Sequence, residues 1–251
     1  MAMGVDNKVR NHFMTHVCNL TPASLRHAVH VLFAPVSDDS DISGLCVSVL
    51  SKSERQAMER KSVAGQRAEF AQRRAFRRFC AATALGSARS LSELVFEETD
   101  KGRPYLHDKP GLWFSFSSCR FGMLGAWSSA YGIGVDIEDR TRELDALDLA
   151  RQFFSVTETA AIERLRGADR LKAFYQLWSL KEAALKSIGE GLPFGLDAFE
   201  FDLHPRPRCI DTPAEYGGPG QIYAHDLAGG RMSAALVARD MAGELKQRDV
   251  A

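Results

Sequence analysis

Acidic residues in the segment YGIGVDIE, residues 131–138, have the spacing of a cation site. Apolar and non-apolar residues alternate strictly through this segment, which predicts a β-strand. Asp136 and Glu138 then point to the same face of the strand, roughly 7 Å apart along it. Two like charges at that spacing repel each other, and a divalent cation with a preference for oxygen ligands, such as Mg²⁺, would relieve the repulsion. A solvated strand face is the alternative interpretation.

Glu182 lies beside the apolar face of a predicted helix. That face is formed by residues three and four apart: Leu171, Phe174, Tyr175, Trp178 and Leu185. Because Glu182 follows Trp178 by one turn, its carboxylate lies on or at the margin of the buried face. An unpaired buried carboxylate costs several kcal/mol, so we expect a lysine, an arginine or a metal ion beside it. A salt bridge from Glu182 to Lys186, four residues on, is the simpler alternative.

Taken together, these segments resemble the signature of the Sfp-type 4'-phosphopantetheinyl transferases. The resemblance is carried by GVDIE at 134–138, FFSVTE at 153–158 and WSLKE at 178–182, continuing to Lys186. GRPY at 102–105 and WFSFSS at 113–118 are similar to two further elements of the family. The family pattern has asparagine at the position of Ser115 and histidine at that of Ser118. The resemblance covers roughly Val29 to Arg239.

The resemblance implies an α+β fold of two similar α+β subdomains related by a pseudo-twofold axis. On that basis we divide the chain into a flexible N-terminal segment (1–24), an N-terminal subdomain (25–130), a C-terminal subdomain with the metal site (131–239) and a tail (240–251). Since two subdomains in one chain can build a whole site, we expect a monomer.

The activity implied by the resemblance is Mg²⁺-dependent transfer of 4'-phosphopantetheine from coenzyme A to a serine of an apo acyl or peptidyl carrier protein. The products are the holo-carrier, used in secondary-metabolite or fatty-acid biosynthesis, and adenosine 3',5'-bisphosphate. Asp136, Glu138 and Glu182 would hold the metal, Lys186 would face the diphosphate, and Glu182 is the candidate general base. The alternative is a catalytically degenerate protein of the same fold that binds coenzyme A or a carrier.

The resemblance also implies a set of residues that bind coenzyme A. Arg67 best matches an arginine that binds the 3'-phosphate, with Arg74 as the other possibility. The remaining residues of the set are Gly102, Arg103 and Pro104 around the adenine, and Ser117, Ser118 and Lys186 near the phosphates. Serine cannot carry the charge of histidine, so Ser118 predicts either weaker binding of coenzyme A or a compensating basic residue. The carrier would dock around Arg142 to Phe154, where a plain core role for Phe153 and Phe154 is the alternative.

Bulk composition excludes several classes of partner. The 32 basic and 32 acidic residues balance, so no overall field recruits nucleic acid or a membrane surface. Five cysteines lie far apart and include no C-x-x-C pair, which predicts reduced thiols in a cytoplasmic protein. Residues 1–21 are polar and resemble no signal peptide, and the sequence has no apolar run long enough to span a membrane.

Periodicity predicts the elements that position these residues. Helices are expected at about 51–61, 63–85, 144–154, 157–165 and 171–186. Gly86 is expected to end the helix at 63–85, whose arginines are expected to form a solvated face. Strands are expected at 27–34, 94–97, 105–107, 121–126, 131–138, 199–203, 221–224 and 232–238. The Asp/Ser-rich segment after Pro35 and the segment 204–220 are expected to be loops, and 189–193 to end the last helix.

Overall fold

The computed structural model describes residues 2–25, 28–86, 89–189, 195–219, 222–227 and 230–241. The helices are α1 (Ala2–His16), α2 (Ser40–Ser48), α3 (Lys52–Glu59), α4 (Ala64–Leu85), α5 (Ala146–Phe153), α6 (Val156–Arg164) and α7 (Gly167–Ile188). The strands are β1 (Cys18–Asn19), β2 (Val29–Pro35), β3 (Phe96–Glu98), β4 (Pro104–Leu106), β5 (Trp113–Cys119), β6 (Gly122–Ser128), β7 (Tyr131–Asp139), β8 (Glu200–Asp202), β9 (Arg208–Asp211), β10 (Ile222–Asp226) and β11 (Met232–Asp240). The predicted α+β class is confirmed.

Two antiparallel sheets form the centre of the molecule. One has the strand order β1-β2-β6-β5, and the other has the order β10-β11-β7. Alternate residues of each strand face a shared apolar cluster, in which Val31 and Leu124 of the first sheet pack with Val135 and Leu236 of the second. The two sheets therefore bury one face of each against the other.

A long helix covers the other face of each sheet. Phe76 and Phe79 of α4 belong to one core with Met123 of the first sheet, and Phe174 of α7 belongs to another core with Val237 of the second. The order of layers is helix, sheet, sheet, helix. This arrangement is compatible with two similar subdomains, whose pseudo-twofold relation stays a prediction.

Glycines let α7 lie directly on the backbone of β7. A Cβ atom added to Gly134 would stand 1.8 Å from the carbonyl oxygen of Ala183 and 2.6 Å from the amide nitrogen of Ser187, and one added to Gly132 would stand 2.8 Å from the oxygen of Ser187. No side chain fits at such distances, because the obstructing atoms are helix backbone. The contact sets the height of α7 above the strand that carries Asp136 and Glu138.

The N-terminal segment differs from the predicted flexible segment. Residues Ala2–His16 form α1, whose Val9 and Phe13 are buried in the core with the Phe13 ring 5.5 Å from that of Phe76. Asp6 ties the helix down by accepting a hydrogen bond of 2.9 Å from the Leu91 amide. Two apolar residues one turn apart and one buried carboxylate thus dock a segment that is otherwise polar.

Three further expectations are corrected. The segment after Pro35 contains α2, which Asp39 caps by accepting from the Asp41 amide, and the predicted loop 204–220 contains β9, paired with β8. Arg78 does not lie on a solvated face: it is 2% exposed, ion-pairs with Glu54 at 2.5 Å and donates to backbone carbonyls. Its burial is possible because those carbonyls and Glu54 accept hydrogen bonds from its two Nη groups.

Other expectations agree with the structure. Helix α3 lies within the predicted range 51–61 and begins with a capping box formed by Ser51 and Glu54, and Gly86, in the left-handed conformation, ends α4 as predicted. His27 and Gln221 at the ends of predicted strands, residues 190–193 after the last helix, and residues 242–251 of the predicted tail lie outside the described residues. In the described ranges, no helix combines the length and apolar composition needed to cross a membrane.

Replacing Gly134 with alanine tests the contact between β7 and α7. The added methyl group would overlap helix backbone that cannot rotate away, so we expect the free energy of unfolding to fall by about 3 kcal/mol. Gly65→Ala is the matched control, because nothing lies within 4 Å of a Cβ atom there and alanine is the better helix former, by about 1 kcal/mol. Equal denaturant midpoints for the two variants would contradict the importance of the contact.

Candidate active site between β7 and α7

Strand β7 and helix α7 bring four charged residues together. Asp136 and Glu138 lie on the face of β7 that also carries Gly134, and Glu182 and Lys186 lie one turn apart on α7. The Lys186 ammonium donates to Asp136 Oδ1 at 2.7 Å and to the Val135 carbonyl at 3.2 Å. Asp136 is buried, whereas Lys186 and the two glutamates are half-buried.

Lys186 therefore binds the strand rather than its own helix. Within the part of the chain that the structure describes, no ion pair joins Lys186 to Glu182, so the simpler interpretation of Glu182 does not hold. The expectation of a cation beside Glu182 remains a prediction.

The two glutamates of this site hold their protons more strongly than exposed glutamates do, because their pKa values are raised. Burial raises the pKa of Glu138 to about 7, with a further contribution from the charge of Asp136. Burial also raises the pKa of Glu182; the charge of Asp136 adds to this increase and that of Lys186 opposes it. The Asp136 Oδ2 atom is buried and, among the described residues, has no hydrogen-bond donor. The site carries more negative charge than Lys186 neutralises.

The donor atoms of the site suit a hard cation. Three carboxylates, one with a buried oxygen that lacks a donor, are the ligand chemistry that Mg²⁺ takes together with water and phosphate oxygens. Asp136, Glu138 and Glu182 would hold such an ion. In the described ranges, no three His, Cys, Asp or Glu side chains stand close enough together to enclose a metal, so these carboxylates would have to converge on it.

Serines of β5 join the first sheet to this site. The Ser117 hydroxyl donates to Asp136 Oδ1 at 2.8 Å, so Ser117 lies beside the acidic residues of β7, and its role in binding coenzyme A stays a prediction. Ser115 is buried and accepts a hydrogen bond of 3.0 Å from the Val135 amide, so it connects the edges of the two sheets. Ser118 lies further along β5, in a cavity with Arg73 and Arg77.

A cleft beside Lys186 contains the predicted turn. Its lining includes Gly102, Arg103 and Pro104 together with Lys186 and Arg77. The Arg103 guanidinium stacks on the Trp113 ring, with its Cζ atom 3.5 Å from the ring centroid. Thus the structure brings the turn predicted to contact adenine next to the lysine predicted to face phosphate.

Arg67 is not part of this cleft. It lies in the first turn of α4 and donates to the carbonyls of Lys61 at 2.8 Å and Ser62 at 3.1 Å. Arg74, the other possibility, lies over the Phe70 ring with its Cζ atom 5.2 Å from the centroid. The residues that sequence reasoning passed over are Arg73 and Arg77, although their spacing of one helical turn indicated a shared face.

Glu158 and Lys181 form a buried ion pair outside the site. The Lys181 ammonium is 2.6 Å from Glu158 Oε2 and donates to the carbonyls of Leu196 and Phe199. Glu158 accepts from the amides of Ser155 and Phe201, both at 2.9 Å. Glu158 ends the FFSVTE segment that carries part of the family resemblance, and its contacts here are with Lys181 and with the backbone amides of Ser155 and Phe201.

A family model described as the 4'-phosphopantetheinyl transferase superfamily matches residues 132–234. This region contains β7, α7 and all four charged residues of the site. The resemblance found in the sequence is therefore confirmed for this region.

Curated relatives extend the comparison. The chain is 31% identical over 148 residues to the 4'-phosphopantetheinyl transferase ffp of Bacillus subtilis, covering 59% of this chain and 65% of the relative. It is 34% identical over 113 residues to 4'-phosphopantetheinyl transferase Sfp of Bacillus subtilis strain 168, covering 45% of this chain and 49% of the relative. It is 38% identical over 108 residues to a putative 4'-phosphopantetheinyl transferase of Synechocystis, covering 42% of this chain and 44% of the relative. The alignments thus span between about half and two thirds of these relatives.

A solved structure also shows similarity. The crystal structure of the Thermotoga maritima holo-[acyl-carrier-protein] synthase matches 43% of this chain and 62% of its own, with 24% sequence identity and a TM-score of 0.35.

Breaking the buried pair tests its structural role. Lys181→Met would leave the Glu158 carboxylate buried without a counter-charge, and we expect a loss of about 3–5 kcal/mol in the free energy of unfolding. The double variant with Glu158→Gln no longer has a buried, unpaired carboxylate and should recover part of the lost free energy of unfolding. Chemical denaturation of both variants measures the difference, and a double variant less stable than Lys181→Met alone would contradict the assignment.

The raised pKa of Glu138 predicts how stability depends on pH. Between pH 4.5, the ordinary pKa, and about 7, the folded protein keeps a proton on Glu138 that the unfolded chain has released. In EDTA, the free energy of unfolding should therefore fall as pH rises through this window, by up to about 1.4 kcal/mol per pH unit.

Glu138→Gln should flatten this slope, because glutamine does not titrate. Glu143→Gln, which changes an exposed residue of the following loop, is the matched control and should leave the slope as it is in the wild type. Denaturant titrations at half-unit pH intervals measure it. An identical slope in wild type and Glu138→Gln would contradict the assignment.

Proposed function

We propose, on the premise that residues 132–234 form a domain of the 4'-phosphopantetheinyl transferase superfamily, that this protein transfers 4'-phosphopantetheine from coenzyme A to a serine of an acyl or peptidyl carrier protein. The products are the holo-carrier and adenosine 3',5'-bisphosphate. The observation that carries the proposal is the meeting of Asp136, Glu138, Glu182 and Lys186 between β7 and α7, inside the matched region.

In this proposal Asp136, Glu138 and Glu182 hold Mg²⁺. When bound, the ion would neutralise charge that develops on the diphosphate as its bridging bond breaks. Lys186 supplies a second positive charge from its half-buried position beside Asp136. Its hydrogen bonds to Asp136 and the Val135 carbonyl hold the ammonium at the mouth of the cleft, where a phosphate would lie.

The transfer step needs a group that accepts the proton of the carrier serine. The serine oxygen forms a bond to the phosphorus next to pantetheine, and the bond from that phosphorus to the bridging oxygen breaks, leaving adenosine 3',5'-bisphosphate. Glu182 would take the serine proton, because it adjoins the site and burial raises its pKa above that of an exposed glutamate. A hydroxyl is a poor nucleophile unless a base of this kind is near.

The two substrates would enter from different sides of Lys186. Coenzyme A suits the cleft lined by Gly102, Arg103 and Pro104, where the stacking of Arg103 on Trp113 leaves a flat surface near the predicted adenine position. The carrier suits the groove after β7, which is lined by Leu144, Leu147, Leu171 and charged residues. Phe154 is buried in the core and Phe153 packs its edge on Trp178, so neither phenylalanine needs to contact the carrier.

Intact-mass spectrometry of an apo-carrier incubated with coenzyme A, Mg²⁺ and this protein tests the proposal. We expect a gain of about 340 Da, the mass added when phosphopantetheine replaces the serine proton. EDTA should abolish the gain. Glu182→Gln should slow transfer by roughly a hundredfold or more at saturating Mg²⁺, because it removes the proposed general base.

Arg60→Met serves as the control for the variant, since Arg60 is exposed and lies outside the site. Full turnover by Glu182→Gln would contradict the general-base role of Glu182 but not the proposed transfer activity. If neither acyl nor peptidyl carriers gain mass although the protein binds coenzyme A, the alternative of a degenerate binding protein is the better description.

A further inference from the structure

Two arginines of α4 face β5 next to the site. Arg73 and Arg77 line a cavity with Ser117 and Ser118. Arg77 also lines the neighbouring cleft that contains Gly102–Pro104 and Lys186, and its Cζ atom stands 5.2 Å from the centroid of the Phe116 ring. Arg77 therefore belongs to both cavities and connects them.

Each guanidinium group forms an ion pair with a glutamate, yet each also has a buried N–H donor that makes no hydrogen bond within the described part of the chain. Arg73 Nη2 is held by Glu69 at 2.9 Å, but Arg73 Nε is buried and, among the described residues, donates to no acceptor. Arg77 Nη1 is likewise buried without an acceptor, with Glu98 Oε1 3.8 Å away. Buried donors of this kind cost roughly 1–3 kcal/mol each unless an acceptor satisfies them, so an incoming anion would be stabilised.

The charges around Arg77 point to an anion of high charge density. Burial and the neighbouring charge of Arg74 lower the pKa of Arg77 to about 10, which leaves it a cation at neutral pH. Two guanidinium groups one turn apart repel each other across a partly desolvated cavity. A phosphate group matches both, because guanidinium donors fit pairs of phosphate oxygens and serine hydroxyls can donate to the oxygens that remain.

We propose that Arg73 and Arg77, with Ser117 and Ser118, bind a phosphate group of the nucleotide substrate. The inference rests on the proposed function, since the cavity adjoins the cleft assigned there to coenzyme A. Two phosphates of that substrate share the required chemistry: the monoester on the 3'-hydroxyl and the 5'-diphosphate. In this proposal Arg73 and Arg77 on helix α4 supply the positive charge that Ser118 on β5 lacks.

Calorimetric titration with three nucleotides separates these sources. Adenosine 5'-monophosphate, adenosine 5'-diphosphate and adenosine 3',5'-bisphosphate are titrated into the full chain and into Arg73→Met and Arg77→Met, which keep the apolar stem of the side chain. If the 3'-monoester binds here, each variant lowers the affinity for the bisphosphate by roughly ten- to a hundredfold and leaves the affinities for the monophosphate and the diphosphate nearly unchanged. If the 5'-diphosphate binds here, each variant instead lowers the affinity for adenosine 5'-diphosphate.

A second-site rescue separates binding from damage to the fold. Ser118→His, added to Arg77→Met, places an imidazole in the same cavity and should restore part of the lost affinity below about pH 6.5, where histidine is charged. Arg60→Met, which removes an exposed charge elsewhere, should bind all three nucleotides as the wild type does. Circular dichroism establishes that each variant is folded.

The outcomes distinguish this inference from the proposed function. If the wild type binds the nucleotides and neither arginine variant changes any affinity, the inference is overturned and the proposed function stands. If the wild type binds none of the three, the inference is overturned, and the carrier assay with coenzyme A decides the proposed function separately. If the variants lose affinity as expected but the wild type modifies no carrier, the phosphate site stands and the transfer activity does not.

Discussion

The close approach of α7 to the backbone of β7 is the contact on which the candidate site depends. Gly134 permits this approach, because any side chain there would collide with the carbonyl of Ala183. Asp136 follows two residues later on the same face of the strand, and Lys186 lies one turn beyond Glu182 on the helix. A helix seated farther from the strand would carry Lys186 out of hydrogen-bond range of Asp136.

Two lysines of α7 illustrate how burial separates a structural role from a chemical one. Lys181 is fully buried, and Glu158 and two backbone carbonyls surround its ammonium. Because these three acceptors occupy its N–H donors, the Lys181 ammonium cannot bind a ligand. Lys186 is half-buried and reaches the cleft while still bound to Asp136. Its exposure, rather than its residue type, makes it the candidate for contact with a substrate.

Much of the fold was predictable from local pattern. The alternation at 131–138 and the three- and four-residue spacing at 171–186 each identified one element, because one face of each element is buried. Helix α1 was not predicted, since Val9 and Phe13 are too few apolar residues to show a helical period and Asp6 anchors the helix through the amide of Leu91, which is distant in sequence. The burial of Arg78 depends on carbonyls distant in sequence, which periodicity does not reveal.

The candidate site was predictable in part for the same reason. Asp136, Glu138, Glu182 and Lys186 lie on regular elements, so their faces followed from spacing alone. Arg73 and Arg77 did not stand out, because a helix with several arginines gives no local sign of which ones meet a cavity. That choice depends on how α4 is seated on the first sheet, and therefore on contacts between segments far apart in the chain.

The hydroxyl of Ser115 has a consequence for how the molecule meets other chains. Strands β5 and β7 are outer strands of separate sheets, and outer strands with unpaired amides recruit strands from other molecules. Ser115 accepts the hydrogen bond of the Val135 amide, so a side chain takes the place that a neighbouring strand would occupy. The two strand edges cover each other at this point, so the Val135 amide on the strand that carries the acidic residues is not available for pairing with a strand of another molecule.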